Sequence, residues 1–206
     1  MKLTVHAVGV DGAHAPLLLP TSLTAASGEV TLVAGDPGPG SVALALAVGG
    51  RLPTSTGRIT WGGSPDPALR RRHVALVDVP GVTEPEGSIR VGAVIGEQLA
   101  LSRQRARGSD VTAFLRRHEA RELAGQRWES LPSDVRTSWL VELAALRPDV
   151  GAVVLAGPDR FGGDPRRWWS VAAALADRGH AVVVQCTHAS ARLLGRPVHF
   201  ELGVSR

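Results

Sequence analysis

The chain has 206 residues, a formal net charge of +4 and a single cysteine, Cys186. This length suits one domain, and one cysteine excludes a framework of internal disulfides, so the cytosol is the expected compartment. No long apolar core follows a basic start, and no apolar stretch approaches the roughly 20 residues of a membrane-spanning helix, so we predict neither a signal peptide nor a membrane crossing.

Apolar runs bounded by turn residues are typical of strands and alternate with helical patterns along the chain. The predicted strands are KLTVHAVGV (2–10), GEVTLVAG (28–35), GRITWGG (57–63), HVALVDV (73–79), GAVVLAG (151–157) and HAVVVQCTH (180–188). The predicted helices are SVALALAVGG (41–50), a helical region at 88–130, a helix from 133 that ends at Pro148, and PRRWWSVAAALADRG (165–179). Continuous apolar strands separated by helices predict a mostly parallel sheet that is covered on both faces.

Polar residues before two of these helices are candidate N-caps. We expect Ser109 or Asp110 to cap the second helix of the 88–130 region, and Ser133 or Asp134 to cap the helix that follows it. In each pair, a side-chain oxygen would accept a hydrogen bond from an N–H group of the first turn.

The basic residues are almost all arginine, because Lys2 is the one lysine in the sequence. They cluster at 70–72, 103–107 and 116–121. Such clusters can meet phosphates or an anionic membrane face. Tyrosine is absent and no aromatic-rich basic platform is present, so we interpret the clusters as solvated surface and do not predict a nucleic acid partner.

The loop after the second predicted strand reads GDPGPGSVA, from 35 to 43. Its glycines have the spacing of a phosphate-binding loop, GxxxxGK[ST], in which backbone N–H groups and a helix N-terminus surround phosphates. The glycines at those positions are Gly35, Gly38 and Gly40. Two prolines in the loop remove N–H donors, so its capacity to bind phosphate is reduced.

The side chains that make such a loop work are missing. Ser41 stands where the lysine is expected, and Val42 and Ala43 stand where the Mg²⁺-binding hydroxyl is expected. An alternative alignment omits the lysine and makes Ser41 the Mg²⁺ ligand. The first alignment predicts weak or absent nucleotide binding, and the second leaves a Mg²⁺ site at Ser41 as the alternative.

The order of these pieces resembles the ATP-binding cassette (ABC) ATPase subunit family over nearly the whole chain. The stretches LLLPTSLTAASGEVTLVAGDPGPGSVALALAVGGRLPTSTGRITWGG, LAALRPDVGAVVLAGPDRFGGDP and RGHAVVVQCTH follow one another as in that family. The resemblance implies a P-loop NTPase-like α/β fold, with an N-terminal antiparallel β-stretch and a helical insertion. It implies a single domain, 1–206, made of a β-rich part (1–87), the insertion (88–130) and the second half of the core (131–206).

The resemblance also places the catalytic positions at the end of the AVVLAGPD strand. The family's Mg²⁺-binding aspartate and its catalytic glutamate correspond to Ala156 and Gly157, neither of which can bind metal or accept a proton. Asp159 lies two residues later and is an alternative base. We therefore predict no metal ligand and no intact catalytic residue at this strand.

Two further family motifs have changed. The signature sequence corresponds to LPSDV (131–135), where Asp134 brings negative charge toward the expected phosphate. The family's glutamine after HVALV corresponds to Asp78 or Val79, because Gln98 comes too late in the chain. Asp78 is thus a weak candidate for contact with a nucleotide.

Two positions match the family. Asp164 in GGDP matches the aspartate that acts across the dimer, and His188 matches the histidine that contacts the γ-phosphate. The aromatic residue that stacks on adenine is missing, with His14 as the nearest substitute. Asp164 and His188 are therefore the retained candidates for a catalytic role.

Together these residues favour a degenerate cassette subunit of an ABC-type transporter, with weak or absent ATP hydrolysis. The resemblance implies ATP and Mg²⁺ as cofactors, a transmembrane permease as partner, and a dimer with itself or with an active ATPase subunit. It implies a position peripheral to the inner face of the cell membrane. An atypical but active ABC ATPase, and a nucleotide-independent interaction module, are the alternatives.

Overall fold

The computed structural model describes residues 1–204, which form two β-sheets and seven α-helices. The strands are β1 (Lys2–Val10), β2 (Leu18–Ala26), β3 (Val30–Ala34), β4 (Thr56–Trp61), β5 (Val74–Val77), β6 (Ala152–Ala156), β7 (Ala181–Cys186) and β8 (Phe200–Glu201). The helices are α1 (Pro39–Val48), α2 (Pro67–His73), α3 (Val91–Leu101), α4 (Gly108–Arg117), α5 (Ser133–Ala145), α6 (Pro165–Asp177) and α7 (His188–Leu194).

Five parallel strands in the order β5-β6-β7-β3-β8 form the central sheet. Side chains alternate between its two faces, as they must in an extended strand. In β6, Val153 and Leu155 pack into a core shared with α3, α5 and α6, whereas Ala152 and Val154 pack against α1 and the second sheet. The predicted mostly parallel sheet with both faces covered is confirmed.

The second sheet is antiparallel, in the order β2-β1-β4, and shares a core with α1. The helical insertion is also present: α3 and α4 are followed by two short 3₁₀ turns, Arg121–Gly125 and Trp128–Ser130. An edge-to-face contact between Phe114 and Trp139, with ring centroids 5.8 Å apart, packs the insertion against α5. No helix within residues 1–204 is long and apolar enough to cross a membrane.

The N-cap predictions for α5 are wrong. Pro132 occupies the cap position in an extended conformation, and Ser133 is the first helical residue. Proline has no cap side chain, and no side-chain hydrogen bond closes the first turn. The helix also ends at Ala145, three residues before Pro148, consistent with the bias of proline against helix in the residue before it.

The N-cap predictions for α4 are also wrong, because Ser109 and Asp110 both lie inside the helix. The helix begins at Gly108, with Arg107 at the cap position. Asp110 lies inside the first turn, where its carboxylate accepts the Arg107 N–H at 2.9 Å. The elements β2, α2, α7 and β8 have no counterpart among the predicted elements. The last three are too short to show a periodic pattern, and in β2 a proline, Pro20, interrupts the apolar run.

Candidate functional site

The glycine-rich loop joins β3 to α1 at the carboxyl edge of the central sheet, where α/β proteins bind ligands. The N–H of Gly35 donates to the carbonyl of Cys186 at 3.0 Å, which ties the start of the loop to the end of β7. A Cβ added at Gly35 would lie 2.6 Å from the Cβ of Leu202. At Gly40 it would lie 3.2 Å from the carbonyl oxygen of Leu17. These two glycines thus allow close approach of the protein's own neighbouring segments.

Ser41 does not extend a polar group out of this loop. Its hydroxyl donates to the carbonyl of Gly38 at 2.8 Å, and its N–H donates to the same carbonyl at 3.2 Å. The carbonyl of Ser41 accepts from Nε2 of Gln185 at 3.0 Å. Val42 lines the cavity beside the loop, while Ala43 is buried in the core. The loop is therefore held by internal bonds.

A cavity of about 370 Å³ lies between this loop and the ends of β6 and β7. The apolar part of its lining consists of Val33, Pro37, Val42, Pro80, Ala156 and Leu202. The polar part includes Asp36, Ser41, Asp159, Arg160, Gln185 and Thr187. Four predicted loop residues (Gly35, Gly38, Ser41 and Val42), the Ala156–Gly157 pair and Asp159 thus meet at one cavity, and Arg160 is the cation that lines it. Gly40, Ala43 and Asp78 do not line it.

The Arg160 side chain forms ion pairs and hydrogen bonds with other residues of the chain. Its Nη2 atom lies 2.8 Å from Oδ1 of Asp78 and 3.0 Å from Oε1 of Glu84. Its Nη1 atom donates to the carbonyls of Ala156 at 2.9 Å and Gly157 at 3.2 Å. The guanidinium also lies 4.4 Å from the ring centroid of Phe161. This group, which we call the Arg160 cluster, joins the segment after β5 to the carboxyl end of β6.

Burial governs the charges of the Arg160 cluster. Desolvation raises the pKa of the Asp78 carboxyl, and the facing Arg160 opposes that shift. Desolvation lowers the pKa of Arg160, but Asp78 and Glu84 outweigh it and the net shift is upward. Arg160 therefore stays charged, and its charge is offset by two carboxylates. Asp78 also has a positive φ of 60°, which is uncommon for a residue other than glycine.

Asp159 bridges the loops that follow β6 and β7. Its Oδ2 atom accepts from the N–H of Thr187 at 2.9 Å and from the Thr187 hydroxyl at 2.7 Å. Among residues 1–204 it forms no ion pair. Asp159 is half-buried and lines the cavity, so it is a carboxylate whose charge is not neutralised by a contact.

The two matched family positions lie outside this cavity. His188 is the exposed first residue of α7, which Thr187 caps. Asp164 caps α6, accepting the N–H of Arg166 at 3.0 Å. It borders a second cavity, of about 380 Å³, with Ser133 and Asp134. The structure therefore does not bring Asp164 and His188 to the cavity at the glycine-rich loop.

The remaining candidates are also apart from it. His14 is exposed in the segment between β1 and β2, and Gln98 is half-buried on α3. Neither lines the cavity. Within residues 1–204 no group of three or more histidine, cysteine or acidic side chains could hold a metal ion.

Three site residues were not found from the sequence: Arg160, Glu84 and Gln185. Arg160 and Glu84 belong to different segments, and no local pattern links them. Gln185 did have a signal, because it is a lone polar residue in an apolar strand run. It is 4% exposed and its Oε1 atom has no hydrogen-bond partner among the described residues.

Several solved structures with the same fold are ATP-binding proteins of ABC transporters. An ABC transporter ATP-binding protein from Pyrococcus furiosus is 16% identical, with a TM-score of 0.67 over 91% of this chain and 92% of that chain. A nucleotide-free ATP-binding cassette is 14% identical, with a TM-score of 0.66 over 95% and 85%. The protein cbiO1 from Clostridium perfringens, part of the transporter complex cbiONQ, is 17% identical, with a TM-score of 0.62 over 90% and 78%. No protein-family model matches the chain, and no curated protein matches it. These likenesses establish the ABC ATPase fold.

Proposed function

We propose that this chain is a cassette subunit of an ABC-type transporter that does not hydrolyse ATP and instead supplies structure and coupling. The observation that carries the proposal is the Arg160 cluster. Its guanidinium lies against the carbonyls of Ala156 and Gly157, the two positions that the resemblance assigns to the metal aspartate and the catalytic glutamate. Neither residue has a side-chain oxygen that could bind Mg²⁺ or accept a proton from water, and the guanidinium bonded to their carbonyls supplies none either.

The phosphate side of the cavity supports the same proposal. Ser41 turns its hydroxyl into the loop, and Pro37 and Pro39 have no N–H to donate. The carboxylates of Asp36 and Asp159 line the cavity and would repel a triphosphate. The residues present therefore do not fit Mg²⁺ with a nucleotide, and we expect neither to be held.

An active but atypical ATPase would have to use Asp78 and Asp159 in new roles. Asp78 is ion-paired to Arg160, and Asp159 accepts both hydrogen bonds from Thr187. Releasing either carboxylate would break contacts that join separate segments of the site. This disfavours the atypical ATPase relative to the non-hydrolysing subunit.

The proposed partner is a transmembrane permease, together with a second cassette subunit that is either a copy of this chain or an active ATPase. The chain would then act as one domain, 1–206, in the cytoplasm at the inner face of the membrane. The fold supports this placement, because cbiO1, which has the same fold, belongs to a transporter complex. The helical segment 88–130 is the expected contact surface.

Calorimetry with ATP and Mg²⁺, followed by phosphate-release assays, tests the absence of catalysis. We expect no saturable binding at micromolar ATP, and phosphate release equal to that of Ser41→Ala, the control that removes the loop hydroxyl. Micromolar affinity with turnover that disappears in Ser41→Ala would contradict the proposal.

Purification of the tagged chain from its native membranes tests the coupling role. We expect a polytopic membrane protein to co-purify in stoichiometric amount. Recovery of the chain alone, from the soluble fraction, would instead support the nucleotide-independent interaction module.

A further inference from the structure

The cavity at the glycine-rich loop has a lining that is mostly apolar and carries acidic side chains. Apolar side chains from four different segments line it, among them Val33, Val42, Ala156 and Leu202. A volume of about 370 Å³ lies within the range of small-molecule sites. The cavity is therefore large enough for an apolar ligand body.

The charge in this cavity is negative. Arg160 contributes one positive charge, but the ion pairs with Asp78 and Glu84 offset it. Asp159 and the exposed Asp36 then remain as carboxylates that form no ion pair with any of residues 1–204. Burial raises the pKa of the Cys186 thiol to about 12, and the nearby charge of Asp159 makes a smaller contribution in the same direction. That thiol is neutral and adds no charge of its own.

Two acceptor atoms in the lining lack donors. Both Thr187 hydrogen bonds fall on Oδ2 of Asp159, and none of the described residues bonds its Oδ1 atom. Gln185 uses Nε2 to bond Ser41, while its buried Oε1 atom has no partner. Buried polar atoms in proteins are normally paired, and the buried Gln185 Oε1 is an exception. Asp159 Oδ1 is open to solvent, so a ligand that carries N–H donors can bond to both oxygens.

We propose that this cavity binds a small organic cation, with an apolar body against the valines and Leu202 and an N–H-bearing cationic group at Asp159. The inference rests on the proposed function, because it requires that nucleotide does not occupy the site. Charge-assisted hydrogen bonds from such a group to a carboxylate are roughly twice as strong as neutral ones. The ligand preference of the site is then the reverse of that of a phosphate-binding loop.

Three probes of one shape and different charge test the proposal: benzamidine, benzamide and benzoate. Each is titrated into ¹⁵N-labelled protein, and the amide signals of Gly35, Gly157 and Thr187 report on the cavity. We expect benzamidine to saturate these signals with an affinity at least about fivefold above that of benzamide, as a partly exposed ion pair allows. Benzoate should leave them unchanged.

Asp159→Asn and Asp164→Asn form the matched pair of variants. Asparagine at 159 retains a side-chain oxygen for the Thr187 donors, and asparagine at 164 can still cap α6. We expect Asp159→Asn to remove the preference for benzamidine over benzamide. Asp164→Asn should leave it intact, because Asp164 lies outside the cavity.

The outcomes separate this inference from the proposed function. Equal binding of benzamidine and benzamide, no shift from any probe, or an unchanged preference in Asp159→Asn overturns the cation site alone. Displacement of benzamidine by micromolar Mg²⁺–ATP, seen at the same amides, overturns the proposed function as well.

Discussion

Two arginine–carboxylate contacts differ in their surroundings: Arg160 lines the cavity at the glycine-rich loop, whereas Arg167 and Asp134 line the second cavity. Arg160 pairs with Asp78 at side-chain exposures of 14% and 9%. Arg167 pairs with Asp134 at exposures of 67% and 27%. The first pair lies where the resemblance expects a metal and a base, and the second where it expects a phosphate-binding signature sequence.

The two ion pairs differ in the free energy that is lost when one partner is removed. A buried charge that loses its partner is left in a medium that solvates it poorly, whereas an exposed one is rehydrated. The Arg160 cluster also donates to two main-chain carbonyls, so it shapes the end of β6. The Arg167 pair only bridges two helix starts. At these two positions the chain thus has one buried ion pair that supports the fold and one exposed ion pair.

Replacing Arg160 with methionine is expected to have the largest effect. Arg160→Met keeps an aliphatic stem but removes the cation in contact with Asp78 and Glu84, and leaves Arg136 as the remaining positive charge that acts on Asp78. We expect the free energy of unfolding, measured in urea, to fall by about 3–5 kcal/mol. The triple variant Arg160→Met, Asp78→Asn, Glu84→Gln should recover most of that loss, because it removes the unpaired charges. A loss below about 1 kcal/mol in Arg160→Met would show that the Arg160 cluster contributes no more to stability than an exposed ion pair does.

The same variant should respond to pH. Burial raises the pKa of Asp78 and Arg160 opposes the shift, so removing Arg160 raises that pKa further. An acid with a higher pKa in the folded state contributes stability below its unfolded pKa, and that contribution is lost as pH rises through the folded pKa. The deficit of Arg160→Met should therefore shrink as pH falls from 7 toward about 4. The triple variant should show no such recovery.

The contrast also separates what the sequence can predict from what it cannot. The place of the glycine-rich loop follows from a local pattern, a short apolar strand, glycines and a helix, and the fold confirms it. The Arg160 cluster depends on which strands become neighbours, β5 and β6, and no local spacing encodes that. The N-cap prediction for α5 was wrong for a local reason. Pro132 is compatible with the conformation of a cap residue, so the helix starts at Ser133 and the polar residues lie inside its first turn.

A glycine substitution at the end of β6 should have an intermediate effect. Gly157 has φ +58°, and a Cβ there would meet only Arg160, no closer than 3.9 Å. Gly157→Ala should therefore lower stability by about 1–2 kcal/mol through backbone strain alone, measured by thermal unfolding. Gly38→Ala is the matched control, because its φ of 162° is extended and no atom lies within 4 Å of the added Cβ. Equal effects of the two would exclude backbone strain as the cause.

Removing the exposed cation should have the smallest effect. Arg167→Ala breaks the pair with Asp134, but Arg167 lies in the first turn of α6, where a cation opposes the helix dipole. Asp134 lies in the first turn of α5, where its charge is favourable. We therefore expect Arg167→Ala to change the free energy of unfolding by less than about 1 kcal/mol, and Asp134→Ala to cost more. A double-mutant cycle in urea at low and high salt measures the pair directly. A coupling above about 2 kcal/mol that persists in high salt would show that this contact is as structural as the Arg160 cluster.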